Sequence, residues 1–355
     1  MTVAHGATGR ALRQLADAER QAIHHTDRVK DLALWRAAAF RLLRDLDQDT
    51  TDLHLLGQGN NVVFRVGAPN GPLVLRLHRP GVRPREVTEA ELRFQAALSR
   101  RAAVRMPTPM MQAHGGYTVK TIVQGTGPVH ADLSSWCPGE VRRPGSGLTL
   151  DDARRAGAAL ARIHQFSETY PAEPRWPVWN ADTLFTAASP YEPGDLSRVF
   201  LPEQRAVLNF VEQRTREVLR TLPRRPDTFG VIHADFILGN LLFADDEVTV
   251  LDFDDCGLGW FVYDLCPLLG NLADQPDFAA WKQAVFSGYA SIRALPDGAL
   301  DKAVLQVLMA ARHAAQCLWG AGLVGRGAEF DVGRHTAWRF EAIRRLLGSE
   351  APFLS

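Results

Sequence analysis

Apolar residues recur at helical spacing early in the chain. Leu32, Trp35, Ala39, Leu42, Leu43 and Leu46 give one apolar face to a helix within residues 13–46. The period then drops to two. In Asp52–Val66 (DLHLLGQGNNVVFRV), Val62, Phe64 and Val66 alternate with other residues, which predicts strand, glycine turn, strand. Leu73–Leu77 (LVLRL) predicts a third strand, and Thr118–Val123 and His130–Trp136 predict two more. A helix is expected over Glu86–Leu98, with Leu92, Gln95 and Leu98 in register. Pro138-Gly139 closes this β-rich stretch. Beyond it the pattern is mainly helical: Leu150–His164, Pro202–Leu222, and Phe278 to the end. Residues 171–200, rich in proline and aromatic side chains, predict a long loop. Residues 230–264 are turn-rich, with short strands around Leu241–Phe243 and Val248–Leu251.

The pattern gives an α+β chain with a helical extension (1–50), a β-rich lobe (51–137) and a helical lobe (138–355). A chain of 355 residues has room for two such units. With 46% apolar and 23% charged residues it is an ordinary globular composition, which excludes a disordered chain or a fibre. The 40 basic and 40 acidic side chains cancel. No overall field draws the chain to nucleic acid or to an anionic membrane, so neither is expected as a partner. The four cysteines form no CxxC pair and read as buried, reduced thiols. The most apolar stretch, Ala303 to Val324, carries Arg312, His313 and Gln316 in its middle, so a buried helix is expected there, not a membrane span. A cytoplasmic protein is the expectation.

Charge is uneven locally. Between Arg225 and Lys282 there is no Lys or Arg, while eleven acids occur: Asp227, Asp235, Asp245, Asp246, Glu247, Asp252, Asp254, Asp255, Asp264, Asp274 and Asp277. Such a cluster repels itself unless solvated or bound to a cation. Asp245, Asp246 and Glu247 read as a solvated turn. The others include a motif: His233, Asp235 and Asn240 form H-x-D-x-x-x-x-N, and Asp252-Phe253 follows twelve residues after Asn240. This is the spacing of a kinase catalytic loop and its metal-binding aspartate. Phosphoryl transfer needs positioning and charge neutralisation more than covalent chemistry. Asp235 and His233 are therefore the candidate catalytic residues, Asp235 to take the proton of an attacking hydroxyl and His233 to orient the loop. Asn240 and Asp252 supply the hard oxygen ligands that Mg²⁺ prefers.

On HADFILGN, LDFDD, WFVYDL with Asp264, and ALARIH ending at His164, the chain resembles the aminoglycoside phosphotransferase/choline kinase superfamily, most closely its homoserine-kinase-type and stress-response-kinase-like branches. The resemblance covers roughly residues 50–345. It implies a bilobal protein-kinase-like fold with ATP in the inter-lobe cleft and transfer of the γ-phosphate. Asp-Phe-Asp replaces Asp-Phe-Gly, which makes Asp254 a possible further metal or substrate contact. Asp264 is expected to brace the loop, and His164 to be structural.

A kinase small lobe also needs a turn over the phosphates, a cation on the next strand and a helix Glu to hold it. In GQGNNVVFRV, Gly57 and Gly59 allow close approach, and amides near Gly59, Asn60 and Asn61 can donate to phosphate. Arg76 stands where the family usually carries Lys or, in some branches, Arg; Glu91 is its expected helix partner, with Glu89 the competing choice. Ser135, Trp136 and Cys137 resemble the hinge that reads adenine. The expected cofactors are ATP and Mg²⁺. The expected acceptor is a small-molecule hydroxyl, with a protein Ser/Thr as the alternative and an inactive nucleotide-binding protein as the third reading. Residues 301–346 carry more Arg and Lys than acids, so the acceptor is expected not to be a polycationic aminoglycoside.

Overall fold

The computed structural model describes residues 28–48, 50, 52–102, 104–173, 175–186, 189–325 and 330–348. The part of the expected first helix within residues 13–27 lies outside them. Helix α1 (Arg28–Asp45) packs on a five-stranded antiparallel sheet of strands β1 (Leu53–Gln58), β2 (Asn61–Val66), β3 (Leu73–His78), β4 (Thr118–Val123) and β5 (Gly127–Ser135), in the order β1-β2-β3-β5-β4. The alternation seen in the sequence decides the faces. Val62, Phe64, Leu75, Leu77 and Leu133 are buried with Trp35, Leu42 and Leu43 of α1 in one core. Arg76 falls between Leu75 and Leu77 and so points to the opposite face, directly across from Asp132 on β5.

That opposite face is covered by α2 (Arg85–Arg101), whose Ala90, Phe94 and Leu98 belong to a second, larger core. The two cores are the physical reason for two lobes. The chain passes between them after β5 at Gly139, where φ is +139° and a Cβ would come within 2.9 Å of the Leu242 side chain. Only glycine fits that passage.

The larger core is built from α3 (Leu150–Ser167), α5 (Pro202–Thr221), α6 (Phe261–Leu272), α7 (Phe278–Ala290), α8 (Lys302–Gly325) and α9 (Val332–Leu347). Thr149 and Asp152 form a capping box at the start of α3. Helices α3 and α7 touch backbone to backbone at Gly157 and Gly288, where a Cβ would come within 2.1 Å of the Val285 carbonyl oxygen and 1.8 Å of the Arg154 carbonyl oxygen. Two small sheets hold the loops of interest. One joins β6 (Val178–Trp179), β10 (Gly257–Trp260) and β7 (Phe229–Ile232), and the other is the hairpin β8 (Leu241–Ala244) and β9 (Glu247–Val250).

Three departures from the sequence expectation have simple causes. The loop expected over 171–200 contains β6, the short helix α4 (Ala181–Leu184) capped by Asn180, and a 3₁₀ turn, all too short to show a period. Strand β10 has glycine at two of its four positions, and α6 carries Pro267 inside it, so neither announces itself. The helical run from Phe278 breaks between residues 290 and 302, around Pro296 and Gly298. All four cysteines are buried and free. Among the described residues no helix is long and apolar enough to cross a membrane.

Candidate active site

The segment His233–Asn240 leaves β7 and returns into β8. It is held from beneath by Asp264 in the first turn of α6. The His233 and Ala234 amides donate to the two Asp264 oxygens, both at 2.7 Å. His164 Nε2 donates to the same carboxylate at 3.1 Å, and the Tyr289 hydroxyl donates to His164 Nδ1 at 2.7 Å. Asp264 and His164 are fully buried. Burial holds the His164 imidazole below the ordinary histidine range, and Asp264 only partly opposes this. Ala234 has φ of +63°, a left-handed conformation that costs an L-residue about 1–2 kcal/mol. Its amide bond to Asp264 keeps it there. His233 Nε2 donates to the Leu251 carbonyl at 2.9 Å, and its Nδ1 accepts from the Asp235 amide at 3.3 Å. Both ring nitrogens are thus spent on backbone.

Asp235 is turned into the cleft. One carboxylate oxygen accepts from Arg312 of α8, and the other accepts from Asn240 Nδ2 at 2.9 Å. Asn240 Nδ2 also donates to the Asp235 carbonyl at 3.0 Å. The Asn240 backbone carbonyl accepts from Leu251 at 2.8 Å, which ties the loop to the residue before Asp252. Phe253 then packs between two other rings, 4.6 Å from that of His233 and 6.3 Å from that of Phe94 of α2, both pairs tilted.

Asp252 has φ of +60°. Its side chain is open to the cleft. Desolvation by the surrounding protein, then the charges of Asp254, Asp235 and Asp255, push its carboxyl well above the ordinary range. Asp255 is pushed up to about 6 by burial and by Asp235, with Arg312 opposing. It accepts from the Tyr191 hydroxyl at 3.4 Å.

Above the cleft, Arg76 serves three acids at once. Nε donates to Asp132 at 3.1 and 3.2 Å, Nη1 to Asp254 at 2.6 Å and Nη2 to Glu91 at 3.0 Å. Burial opposes its charge, and Asp132, Glu91 and Asp254 overcome it. A lysine has no fork with which to do this. Glu91 also accepts from Arg83 at 2.5 Å and from Gln95 at 2.7 Å. Glu89 is employed elsewhere, accepting from the Thr118 amide at 2.8 Å. Asp254 accepts from Arg76 and, at 2.5 Å, from Asn61 Nδ2 of the glycine turn. It therefore links the small lobe to the metal motif.

A Cβ on Gly57 or Gly59 would meet nothing within 4 Å, so the turn faces open space. The Gly59 carbonyl accepts from Arg79 at 3.0 Å, and the Asn60 carbonyl from the Arg79 amide at 3.4 Å. Further along the cleft edge, Ser135 exchanges backbone and side-chain bonds with Thr108, and the Trp136 amide donates to Pro72 at 3.2 Å. Cys137 is buried.

The donor set suits a hard cation. Asn240 spends its NH₂ on Asp235, so its amide oxygen carries none of the described bonds, and Asp252 is a carboxylate crowded by other acids. Among the described residues no three His, Cys, Asp or Glu side chains form a ready metal cage. Mg²⁺ does not need one, since it binds through one or two carboxylates plus phosphate oxygens and water.

The sequence profile of the phosphotransferase enzyme family matches residues 50–300. The chain belongs to this family. An uncharacterized protein of Deinococcus radiodurans is 30% identical over 289 residues, 79% of each chain. Amicoumacin kinase of Bacillus subtilis is 35% identical over 79 residues, 22% of this chain and 24% of that kinase. Among solved structures, a microcompartment-associated aminopropanol kinase superposes with a TM-score of 0.70 at 24% identity, covering 89% of this chain and all of the other. An amicoumacin kinase in complex with AMP-PNP and Ca²⁺ gives 0.68 at 20% identity, covering 90% and 94%. These likenesses establish the bilobal kinase-like fold.

Within this phosphotransferase-family chain, sequence reading passed over several site residues. Asp132 hides in an apolar strand and is placed only by the β3–β5 register. Tyr191 comes from the long loop, and Tyr263 from α6, its hydroxyl buried with no partner among the described residues. Arg312 had a signal: it is a cation in the middle of an apolar helix, as Arg76 is in the middle of an apolar strand.

Proposed function

We propose that the protein is an ATP- and Mg²⁺-dependent kinase that moves the γ-phosphate to a hydroxyl of a small molecule. The observation that carries this is the position of Asp235, braced through Asp264 and held at both oxygens in the cleft that Asp252 and Arg76 also face. Asn240 and Asp252 would hold Mg²⁺, which when bound neutralises phosphate charge. Arg76, fixed by Glu91 and Asp132, places a cation over the phosphates; in the open turn at Gly57–Asn61 the Gly59 amide is spent on the Asn61 carbonyl at 2.9 Å, so the Asn60 amide is the turn's donor toward phosphate. With the Ser135 and Trp136 amides already donated to protein, Cys137 is the segment's remaining donor toward adenine. Asp235 orients the acceptor hydroxyl and receives its proton as the oxygen attacks phosphorus; ADP leaves, and the acceptor becomes a phosphate ester. His233 keeps Asp235 in line and moves no proton, since both its nitrogens are engaged.

The family and its small-molecule kinase relatives favour a small acceptor over a protein. A coupled ADP-release assay with MgATP tests this against aminopropanol, ethanolamine, choline, homoserine, a kanamycin-type aminoglycoside and a generic protein substrate. Saturable turnover with one of the small non-aminoglycoside alcohols is expected. Turnover with the protein substrate alone, or with the aminoglycoside alone, would overturn the acceptor class.

A further inference from the structure

Arg312 sits in the middle of α8, surrounded on its own helix by buried Leu305, Leu308, Met309 and Ala315. Its side chain is 9% exposed. A guanidinium placed there is costly unless it is paired, and the cost explains why sequences rarely keep one without a use. Among the described residues its one ion-pair partner is Asp235. Gln316, one turn further on, holds the other side: with its amide oriented to satisfy both groups, its oxygen accepts from Nη1 at 3.1 Å and Nη2 at 3.0 Å. Helix α9 braces Gln316 in turn, His335 Nε2 donating to the Gln316 backbone carbonyl at 3.2 Å.

The consequence lies in the geometry of Asp235. Asn240 holds one carboxylate oxygen only, and leaves the plane of the group free to turn about its last bond. Arg312 takes the second oxygen, so the plane is fixed and one lone pair of each oxygen remains for the cleft. The two holders come from different parts of the lobe, Asn240 from the catalytic loop and Arg312 from α8. We propose that Arg312 is a positioning residue for phosphoryl transfer, fixing the orientation of the Asp235 carboxylate toward the acceptor hydroxyl. This rests on the reading of Asp235 as the base. Misplacing a reacting group by about 1 Å costs roughly 10²-fold in rate, which sets the size of the effect.

The test is a double-mutant cycle on the full chain, read as ADP release from MgATP with water and with the alcohol panel as acceptors. Arg312→Met should lower kcat about 10²-fold with KM for ATP unchanged, because Arg312 acts through Asp235 and not on the nucleotide. Arg312→Lys should recover part of the loss, since one charged donor can still reach one oxygen. In an Asp235→Asn background, Arg312→Met should have almost no further effect. If Arg312→Met does not fold, Arg312→Lys carries the same cycle with a smaller loss. The same fold-loss in both backgrounds, or a rise in KM for ATP alone, would overturn the positioning role. An active wild type with an equally active Arg312→Met overturns it too, and leaves the kinase reading standing. A wild type with no MgATP turnover overturns the kinase reading and the positioning role together.

Discussion

Arg76 and Asp254 meet at 2.6 Å, joining the central strand of the small lobe to the acidic turn after Phe253. The same arginine is opposite Asp132 and bonded to Glu91, so its role combines cleft charge with lobe structure. Arg76→Met leaves buried Asp132 and Glu91 without their shared cation and should destabilise the fold by about 3 kcal/mol or more, measured by chemical denaturation. Arg76→Lys should fold better but bind ATP more weakly than wild type by calorimetry. Unchanged ATP affinity in Arg76→Lys would assign Arg76 to structure alone.

Asp264 accepts three hydrogen bonds while fully buried, two of them from the catalytic loop. Asp264→Asn keeps the volume but turns one acceptor into a donor facing a donor. Stability should fall by about 2–4 kcal/mol, and turnover should fall with it even where the protein remains folded. A variant of wild-type turnover would show that the loop keeps its shape without this brace.

Acid should weaken the protein through its buried histidines. Burial holds His313 and His335 down to about 3, with Arg339 adding to it in both. Their folded values lie below the unfolded value near 6.5, so the unfolded chain binds more protons between those limits. Stability is therefore fully present above about pH 6.5 and is lost as pH falls below it, by up to about 1.4 kcal/mol per pH unit for each histidine. Asp255, raised to about 6, and Asp252, raised well above the ordinary range, work in the opposite sense and reduce the net slope. Denaturation at pH 7 and pH 5 checks this, and His335→Gln should flatten the decline. A stability that rises from pH 7 to pH 5 would contradict it.

Much of this architecture was legible in the chain. The period-2 segments gave β1 to β4 within a residue or two of their ends, because one face of each is apolar and the other is not. H-x-D-x-x-x-x-N and Asp-Phe-Asp mark the candidate loop because the proposed phosphoryl transfer needs those groups at fixed separations along one hairpin. What stayed hidden was whatever depends on tertiary register. Asp132 meets Arg76 only because β3 and β5 pair as they do, whereas Glu91, expected from the sequence as the helix partner of Arg76, does bond to it. The Asp254 contact to Asn61 spans most of the chain, and no local pattern encodes it. Arg312 was visible as an oddity, but its partner 77 residues away was not.

The central claim is that Asp235 receives the acceptor proton, and Asp235→Asn tests it most directly. The substitution keeps size and the Asn240 neighbourhood but removes the basic oxygen. MgATP-dependent phosphoryl transfer, followed as ADP release, should fall by about 10²–10⁴-fold, while ATP binding measured by calorimetry stays at the wild-type level. Undiminished transfer, or a loss of ATP affinity equal to the loss of transfer, would contradict the assignment.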